Sequence, residues 1–231
     1  MVKVSIFVPV YNEEKIIRGN IKKIVGATRK FIKNFEIIVV NDASTDGTLD
    51  ELKKVEGIKI LNYNNGPTRR ENLAQSFKKA KGDIIAFMDA DLSVDLRYLK
   101  ELICNVENGA DIAIGSRYGG LKAKRESKRL VISFVYNKIM RILFLTKIKD
   151  HQCGFKAFKR ELLPIISGMG FDNKRGWFWD VEFLARAKRA GYKIKEFPIL
   201  WVRSERKSSF NIKRELRMIP YVISLRFKGF N

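Results

Sequence analysis

The strongest constraint on this chain is a rhythm. Across residues 1–120, short apolar runs alternate with stretches whose apolar residues return every three to four positions. The runs are "KVSIFVPVY", "FEIIVVND", "GIKILNY", "DIIAFMDAD" and "DIAIGSRY". After the first, Ile16, Ile17, Ile21, Ile24 and Val25 repeat at helical spacing. Asn12 is the expected cap of that helix, with Glu13 and Glu14 in its first turn. "ASTDG" closes the second run with turn chemistry. "LDELKKV", "RRENLAQSFKKAKG" and "LRYLKELICNVENG" follow as helices, the second expected to stop at Gly82. Strands alternating with helices predict a mostly parallel sheet covered by helices, an α/β fold. No G-x-G-x-x-G follows the first strand, so a dinucleotide fingerprint is absent.

From Gly119 the rhythm changes. "GGLKAKRESKR" is a basic loop, and "LVISFVYNKIMRILFLTKIK" is apolar but interrupted by Asn137, Lys138 and Arg141. "WDVEFLARAKRAG" predicts a helix ending at Gly191, and "YKIKEFPILWV" an edge strand, because Pro198 cannot donate to a ladder. No repeat or low-complexity linker divides the chain, so residues 1–231 are expected to form one domain whose second half, 121–231, elaborates the first.

Charge divides at the same place. Residues 1–120 hold 19 Lys and Arg against 16 Asp and Glu, whereas residues 121–231 hold 27 against 9. The net charge of +21 therefore sits in the second half and points to an anionic partner: a membrane surface, a nucleic acid or a phosphorylated substrate. The single histidine, His151, excludes a multi-histidine metal site, and Cys104 and Cys153 read as free thiols in a reducing compartment. The opening "MVKVSIFVPVYNEE" does not read as a leader, and no apolar run is long enough for a membrane span.

Against this basic background, "FMDADLSVD" gathers acids behind a core strand. Ligands of open α/β sheets bind beyond the carboxyl ends of the strands. Asp42 ends one such strand; Asp89 and Asp91 end another and, two residues apart, can face one ligand. Two adjacent carboxylates repel unless a cation joins them. Mg²⁺ or Mn²⁺ carrying substrate phosphates needs only one or two protein carboxylates. A nucleic-acid-binding protein would explain the charge excess but not these acids, which would repel a phosphate backbone.

The motifs "FVPVYNEE", "VVNDASTDGT", "GDIIAFMDADLS", "GSRY", "DHQCGFKAFKR" and "WDVEFLARAKRAGYKIKEFPILW" stand in an order that resembles the family 2 glycosyltransferases. The likeness runs roughly from Val4 to Phe210 and is strongest to the polyprenyl-phosphate sugar synthases, of the dolichyl-phosphate mannose synthase type. It implies a GT-A fold, Rossmann-like, with amphipathic helices in the C-terminal half. It also implies a nucleotide-sugar donor (GDP-mannose or UDP-glucose), Mg²⁺ or Mn²⁺, and inverting transfer of a hexose to a polyprenyl phosphate. Carried over by position, Pro9, Tyr11 and Glu13 embrace the nucleotide and Asp42 reads its base. Asp89 and Asp91 form the D-x-D that holds the metal, Asp89 also serving the donor. Arg117, Arg129, Ser133 and Arg203 receive the acceptor phosphate. Three departures stand out. Asn41 replaces the first acid of the family's D-D-x-S turn, and Ser93 stands where a Gln is common. "GPTRREN" replaces a Gly-Lys-Gly stretch, so Arg69 is expected to take the lysine's place.

The chemistry separates two acceptors. A phosphate is ionised near neutral pH and needs cations rather than a base. A glycan or lipid hydroxyl needs a base, and Asp180 stands where hydroxyl-accepting relatives carry one. The apolar-and-basic segments add a location. Leu130, Phe134, Ile139, Leu143 and Phe144 are expected to share an apolar side, with Lys138, Arg141 and Lys147 reaching water. Leu216, Ile219, Tyr221, Val222 and Leu225 are expected to do the same in the tail, among Arg217, Arg226 and Lys228. Trp177, Phe178 and Trp179 fit either a core or a membrane interface. The expectation is a peripheral protein on the cytoplasmic face of an anionic membrane. A separate membrane-anchoring subunit is left open, and no nucleic-acid partner is expected.

Overall fold

The computed structural model describes residues 3–68, 70–118, 127–169, 178–201 and 219–228. Seven strands form one sheet in the order β3-β2-β1-β4-β6-β5-β7. They are β1 (Val4–Val10), β2 (Phe35–Asp42), β3 (Lys59–Tyr63), β4 (Ile84–Phe87), β5 (Ile112–Ser116), β6 (Lys156–Lys159) and β7 (Ile194–Pro198). All neighbours pair in parallel except β6, which runs against both β4 and β5. β1, β4 and β5 are buried along nearly their whole length, which is why their sequences are unbroken apolar runs. β3 and β7 sit at the edges and are partly exposed, and Pro198 closes the edge strand expected of it.

The helices are α1 (Ile17–Phe31), α2 (Thr48–Lys53), α3 (Glu71–Ser76), α4 (Tyr98–Glu107), α5 (Ser127–Phe144), α6 (Leu163–Gly168), α7 (Trp179–Arg189) and α8 (Ile219–Lys228). Gly191, at φ +88°, ends α7 in the left-handed region, as predicted. Two local expectations are corrected. Asn12 does not cap α1, which begins five residues later; at φ 53° it turns the chain and binds the next loop. Gly82 is not a helix stop, because α3 gives way to a 3-10 turn at Phe77–Lys79. It is glycine because a Cβ there would lie 2.5 Å from the Lys3 carbonyl oxygen and the Ser5 nitrogen of the adjoining chain.

Two apolar clusters hold these elements. The large one spans the sheet and centres on Phe77, whose ring meets Phe7 edge-on at 5.0 Å and Phe158 at 5.3 Å. Trp179 joins it, fully buried and stacked on Phe183 at 5.5 Å. The small cluster joins α5, α7 and α8 through Met140, Phe178, Val181, Val222 and Leu225. Phe178 and Trp179 are therefore core rather than interface; Trp177 lies outside the described residues.

Candidate active site

Because the strands are parallel, β1, β2 and β4 deliver their carboxyl ends to one edge of the sheet. β6 runs the other way, so its amino end arrives at that edge, with Lys156 registered opposite Phe87 of β4 and Ile114 of β5. Each of the three loops leaving β1, β2 and β4 contains a non-glycine residue in the left-handed region: Asn12 (φ 53°), Ala43 (φ 61°) and Leu92 (φ 53°). Such conformations cost about 1 kcal/mol or more each and persist where neighbours enforce them.

The neighbours are visible. The Thr45 backbone N–H donates to Asn12 Oδ1 (2.8 Å), the Glu13 N–H to Thr48 Oγ1 (2.7 Å), and the Gly47 N–H to Glu14 Oε2 (3.1 Å). These bonds lace the β1 loop to the β2 loop and bury Glu13. Pro9 and Tyr11 flank this seam at the end of β1, both partly exposed. Asn20 Nδ2 of α1 donates to the Ala90 carbonyl at 2.9 Å, pinning the residue between the two acids.

Asp42 binds the loop before α3. Its carboxylate accepts from the Thr68 N–H (2.8 Å) and from Asn72 Nδ2 (2.6 Å). Gly66 passes so close that a Cβ would lie 2.7 Å from Asp42 Oδ1. The departure at Asn41 is structural: it is buried, and its Nδ2 donates to Asn62 Oδ1 at 2.6 Å across the β2–β3 pair.

Asp89 and Asp91 stand at the end of β4. Asp91 Oδ1 accepts from the Ser93 N–H at 3.0 Å, and Ser93 itself is buried. The Asp89 side chain is 46% exposed and faces Arg70 Nη1 at 3.5 Å. Restricted hydration and the charges of Asp91 and Asp180 raise its carboxyl above the usual range, against the pull of Arg70 and Lys156. Behind it runs Gly154, where a Cβ would lie 2.1 Å from Asp89 Oδ2. The chain has left this space for the carboxylate. Among the described residues no cluster of three His, Cys, Asp or Glu side chains could enclose a metal. The donor set, two hard carboxylates with an open side, fits a divalent ion that completes its shell with water and phosphate oxygens.

Asp180 opens α7 and is buried, fixed by the burial of Trp179 before it. Lys156 Nζ, with no exposed side-chain surface, donates to Asp180 Oδ1 at 2.7 Å. Arg70 Nε donates to Asp180 Oδ2 at 3.3 Å. Burial would lower the Arg70 guanidinium, but Asp180 and then Asp89 outweigh it and raise it. Lys156, Asp180, Arg70 and Asp89 thus form a row of alternating charge. Sequence reasoning missed both cations in it. Lys156 lay in a quoted motif with no strand assigned, and its alternation in "FKAFK" is too short to separate a buried lysine from an exposed one. Arg70 was passed over for its neighbour Arg69, which lies outside the described residues.

The residues expected to receive an acceptor phosphate are only partly described. Arg203 lies outside the described residues, and Arg129 is described only as a backbone position in α5. Arg117 has a protein partner that the sequence did not reveal. Its Nε and Nη2 donate to the two oxygens of buried Asp150, both at 2.6 Å. Burial alone would raise the Asp150 carboxyl; Arg117 and, more distantly, Lys156 hold it below the usual carboxylate range. Ser133 of α5 meets the Tyr118 hydroxyl, tying the β5 loop to the helix. Behind this, burial lowers His151 to about 4, and burial pushes the Cys153 thiol up to about 12. The imidazole sits between Asn137 Oδ1 (2.9 Å from Nδ1) and Thr146 Oγ1 (2.7 Å from Nε2). Asn137 Oδ1 can only accept, so Nδ1 carries the proton and Nε2 accepts from the threonine.

Residues 5–164 match the model of glycosyl transferase family 2. The chain is 38% identical over 208 residues to glycosyltransferase AglD of Haloferax volcanii, covering 87% of this chain and 33% of that protein. It is 32% identical over 212 residues to polyprenol monophosphomannose synthase of Mycolicibacterium smegmatis, covering 87% of this chain and 77% of that one. In structure it is similar to glucosyl-3-phosphoglycerate synthase of Mycobacterium tuberculosis in complex with Mn²⁺ and uridine-diphosphate-glucose. That match has a TM-score of 0.73 at 18% identity, over 99% of this chain and 80% of the other. The likeness shows the fold, a mostly parallel sheet of GT-A type flanked by helices. The chain spans about a third of its haloarchaeal relative, in contrast to three quarters of the mycobacterial synthase.

Proposed function

The chain belongs to glycosyltransferase family 2, and from that premise we propose that it transfers a hexose, mannose or glucose, from a nucleotide-diphosphate sugar to a polyprenyl phosphate, with inversion, at the cytoplasmic face of a membrane. The observation that carries the reading is the state of Asp180. At the position where a hydroxyl-accepting relative would carry its base, both carboxylate oxygens are engaged by Lys156 and Arg70 inside the protein. With only 2% of its side chain exposed, Asp180 is committed to two internal cations rather than presented to a substrate hydroxyl. An acceptor that arrives as an anion makes no such demand.

The donor's nucleotide is assigned to the seam of the β1 and β2 loops, with Pro9, Tyr11, Glu13 and Asp42 at its edges; Arg69, outside the described residues, keeps the role that the resemblance gives it. Asp89 and Asp91 are assigned a divalent ion, Mg²⁺ or Mn²⁺, in accord with the Mn²⁺ bound by the mycobacterial neighbour. When bound, that ion supplies Lewis-acid stabilisation of the departing diphosphate without a proton donor. Arg117, Arg129, Ser133 and Arg203 are assigned the acceptor phosphate. For Arg117 only Nη1 makes no bond to a described residue, so it would contribute one nitrogen while Asp150 aims the group.

The membrane reading rests on α5 and α8. Leu143, Phe144, Tyr221, Val222 and Leu225 pack inward, contrary to the shared apolar side expected of them. The exposed apolar residues of this layer are Phe134, Val135, Ile139 and Ile142 of α5, Leu145 just after it, and Ile223 and Phe227 of α8. Lys138, Arg141 and Lys147 line a recess of about 370 Å³ with Ile142 and Thr146, apart from the carboxylates. Cations beside exposed apolar groups suit an anionic lipid surface, where each basic residue adds about 1 kcal/mol. Among the described residues no helix is long and apolar enough to cross a membrane. A separate anchoring subunit remains compatible with this surface.

The test is direct synthesis. Purified protein is incubated with labelled GDP-mannose or UDP-glucose, Mn²⁺ and a polyprenyl phosphate in detergent. One donor should yield a lipid-extractable sugar phosphate. No lipid-linked product from either donor, in the presence of turnover with a soluble hydroxyl acceptor, would overturn the reading in favour of a hydroxyl-directed transferase.

A further inference from the structure

We infer that Arg70 is the built-in counter-ion of the Asp89–Asp91 site: it holds Asp89 when no metal is bound and must give it up when a metal and a diphosphate arrive together. The inference rests on the reading of Asp89 and Asp91 as the metal-holding pair, and it adds a residue that the family resemblance does not assign. Where many relatives carry Gly-Lys-Gly, this chain has "GPTRREN", which brings two arginines into the turn.

The geometry is that of a shared cation. The other buried pairs near the site are short: Lys156 to Asp180 at 2.7 Å, and Arg117 to Asp150 at 2.6 Å. Arg70 instead stands 3.3 Å from Asp180 and 3.5 Å from Asp89, one nitrogen to each. Its guanidinium carbon lies 5.3 Å from the centre of the Phe87 ring, and 9% of its side chain is exposed. The ring, with Asp180 behind it, keeps the cation in place whether or not Asp89 is held. Asp89 has no such freedom, since Gly154 backs it and leaves its open side toward Arg70 and solvent.

A divalent ion approaching Asp89 meets the positive charge of Arg70 across a few ångströms. Metal alone must therefore take Asp89 from the guanidinium without offering that cation a new anion. A nucleoside diphosphate bound with the metal offers phosphate oxygens, which a guanidinium grips well. Metal and nucleotide then favour each other beyond their own direct contact. Such coupling is reciprocal, and its usual size is about 5–150-fold. Asp180 keeps Lys156 throughout, so the exchange leaves no buried carboxylate without a cation.

Arg70→Gln separates this from a merely structural role, because it predicts effects of opposite sign. Mn²⁺ affinity would be measured by electron paramagnetic resonance with metal alone, then with UDP or GDP present. For Arg70→Gln, Mn²⁺ alone should bind about tenfold more tightly than to wild type, while the added nucleotide should strengthen metal binding less than in wild type. Arg70→Lys is the second variant. It keeps the charge but not the planar fork, so Mn²⁺ alone should bind about as it does to wild type while the added nucleotide strengthens metal binding less. Weaker Mn²⁺ binding by both folded variants, or unchanged coupling to nucleotide, would overturn the inference. Wild type that binds Mn²⁺ in neither condition would instead overturn the metal-site reading on which the inference rests.

Discussion

The edge of the sheet where β1, β2, β4 and β6 meet and the layer formed by α5 and α8 are built on opposite plans. The first turns polar groups inward and pairs them: Asp42, Asp180, Asp150 and Lys156 each have short hydrogen bonds to another side chain. The second turns apolar groups outward, with Leu145 at 73% and Phe227 at 79% exposure over a core of five buried side chains. Buried charge is tolerated only when paired and hydrogen-bonded, and it then fixes geometry closely. Exposed apolar surface is tolerated where something else covers it. The contrast fits the proposed division, with precise placement of charge in one region and attachment to a soft surface in the other.

Four variants or conditions test that division, in order of expected effect. Asp91→Asn should cut transfer by about 1,000-fold, the scale of losing one charged partner of a polar transition state. Its melting temperature should stay near that of wild type, and EDTA should silence the wild type until Mg²⁺ or Mn²⁺ is restored. Near-normal turnover in the variant would remove the metal site from the first region.

Lys156→Met should cost about 3–4 kcal/mol in urea unfolding, since it leaves Asp180 buried with Arg70 alone. The double variant Lys156→Met with Asp180→Asn should be more stable than either single variant. Additive losses would mean that the two side chains do not act as a pair.

The third test is pH. The folded His151 imidazole, held to about 4 by burial against an ordinary 6.5, refuses a proton that the unfolded chain accepts. Stability should therefore be intact above pH 6.5 and decline as pH falls toward 4, by about 3 kcal/mol in all. The loss linked to Asp150 lies lower, below the usual carboxylate range. Thermal melts at pH 7.5 and 4.5 should show a smaller drop for His151→Gln. An equal drop would place the titrating group elsewhere.

The smallest effect belongs to the helical layer. Ile142→Glu with Leu145→Glu should change stability by no more than about 0.5 kcal/mol, because neither side chain packs on the core. The same pair should reduce flotation with anionic vesicles at low salt. Undiminished flotation would move membrane attachment to another surface.

The sequence carried the sheet because apolar period and turn chemistry are local signals. Each of the five runs in residues 1–120 became a strand, Gly191 marked the helix stop expected of it, and Pro198 the edge strand. β6 escaped because four residues between two parallel strands have no distinguishing period. Asp42, Asp89 and Asp91 were legible as strand-end acids because strand and turn signals are local and a parallel sheet gathers those ends at one edge. Their partners were not. Arg70 reaches Asp180 across 110 residues, Arg117 reaches Asp150 across 33, and Asn137 reaches His151 from an otherwise apolar helix. Such pairings depend on tertiary placement, which a single chain's pattern does not encode. α5 was read as amphipathic from its composition, but which apolar residues face the small core depends on where α7 and α8 pack.

The central claim is that Asp180 is committed to Lys156 and Arg70 and that the acceptor arrives already ionised. A competition assay tests it most directly. Protein, Mn²⁺ and the active nucleotide sugar are mixed with equal amounts of a polyprenyl phosphate and the corresponding polyprenol, and the two lipid products are separated. Sugar should appear on the phosphate and not on the alcohol, with a rate that varies little from pH 7 to 8.5, where a phosphate monoester is already ionised (second pKa about 6). Sugar on the polyprenol, lost in Asp180→Asn, would show that Asp180 leaves Lys156 to act as a base and would contradict the account.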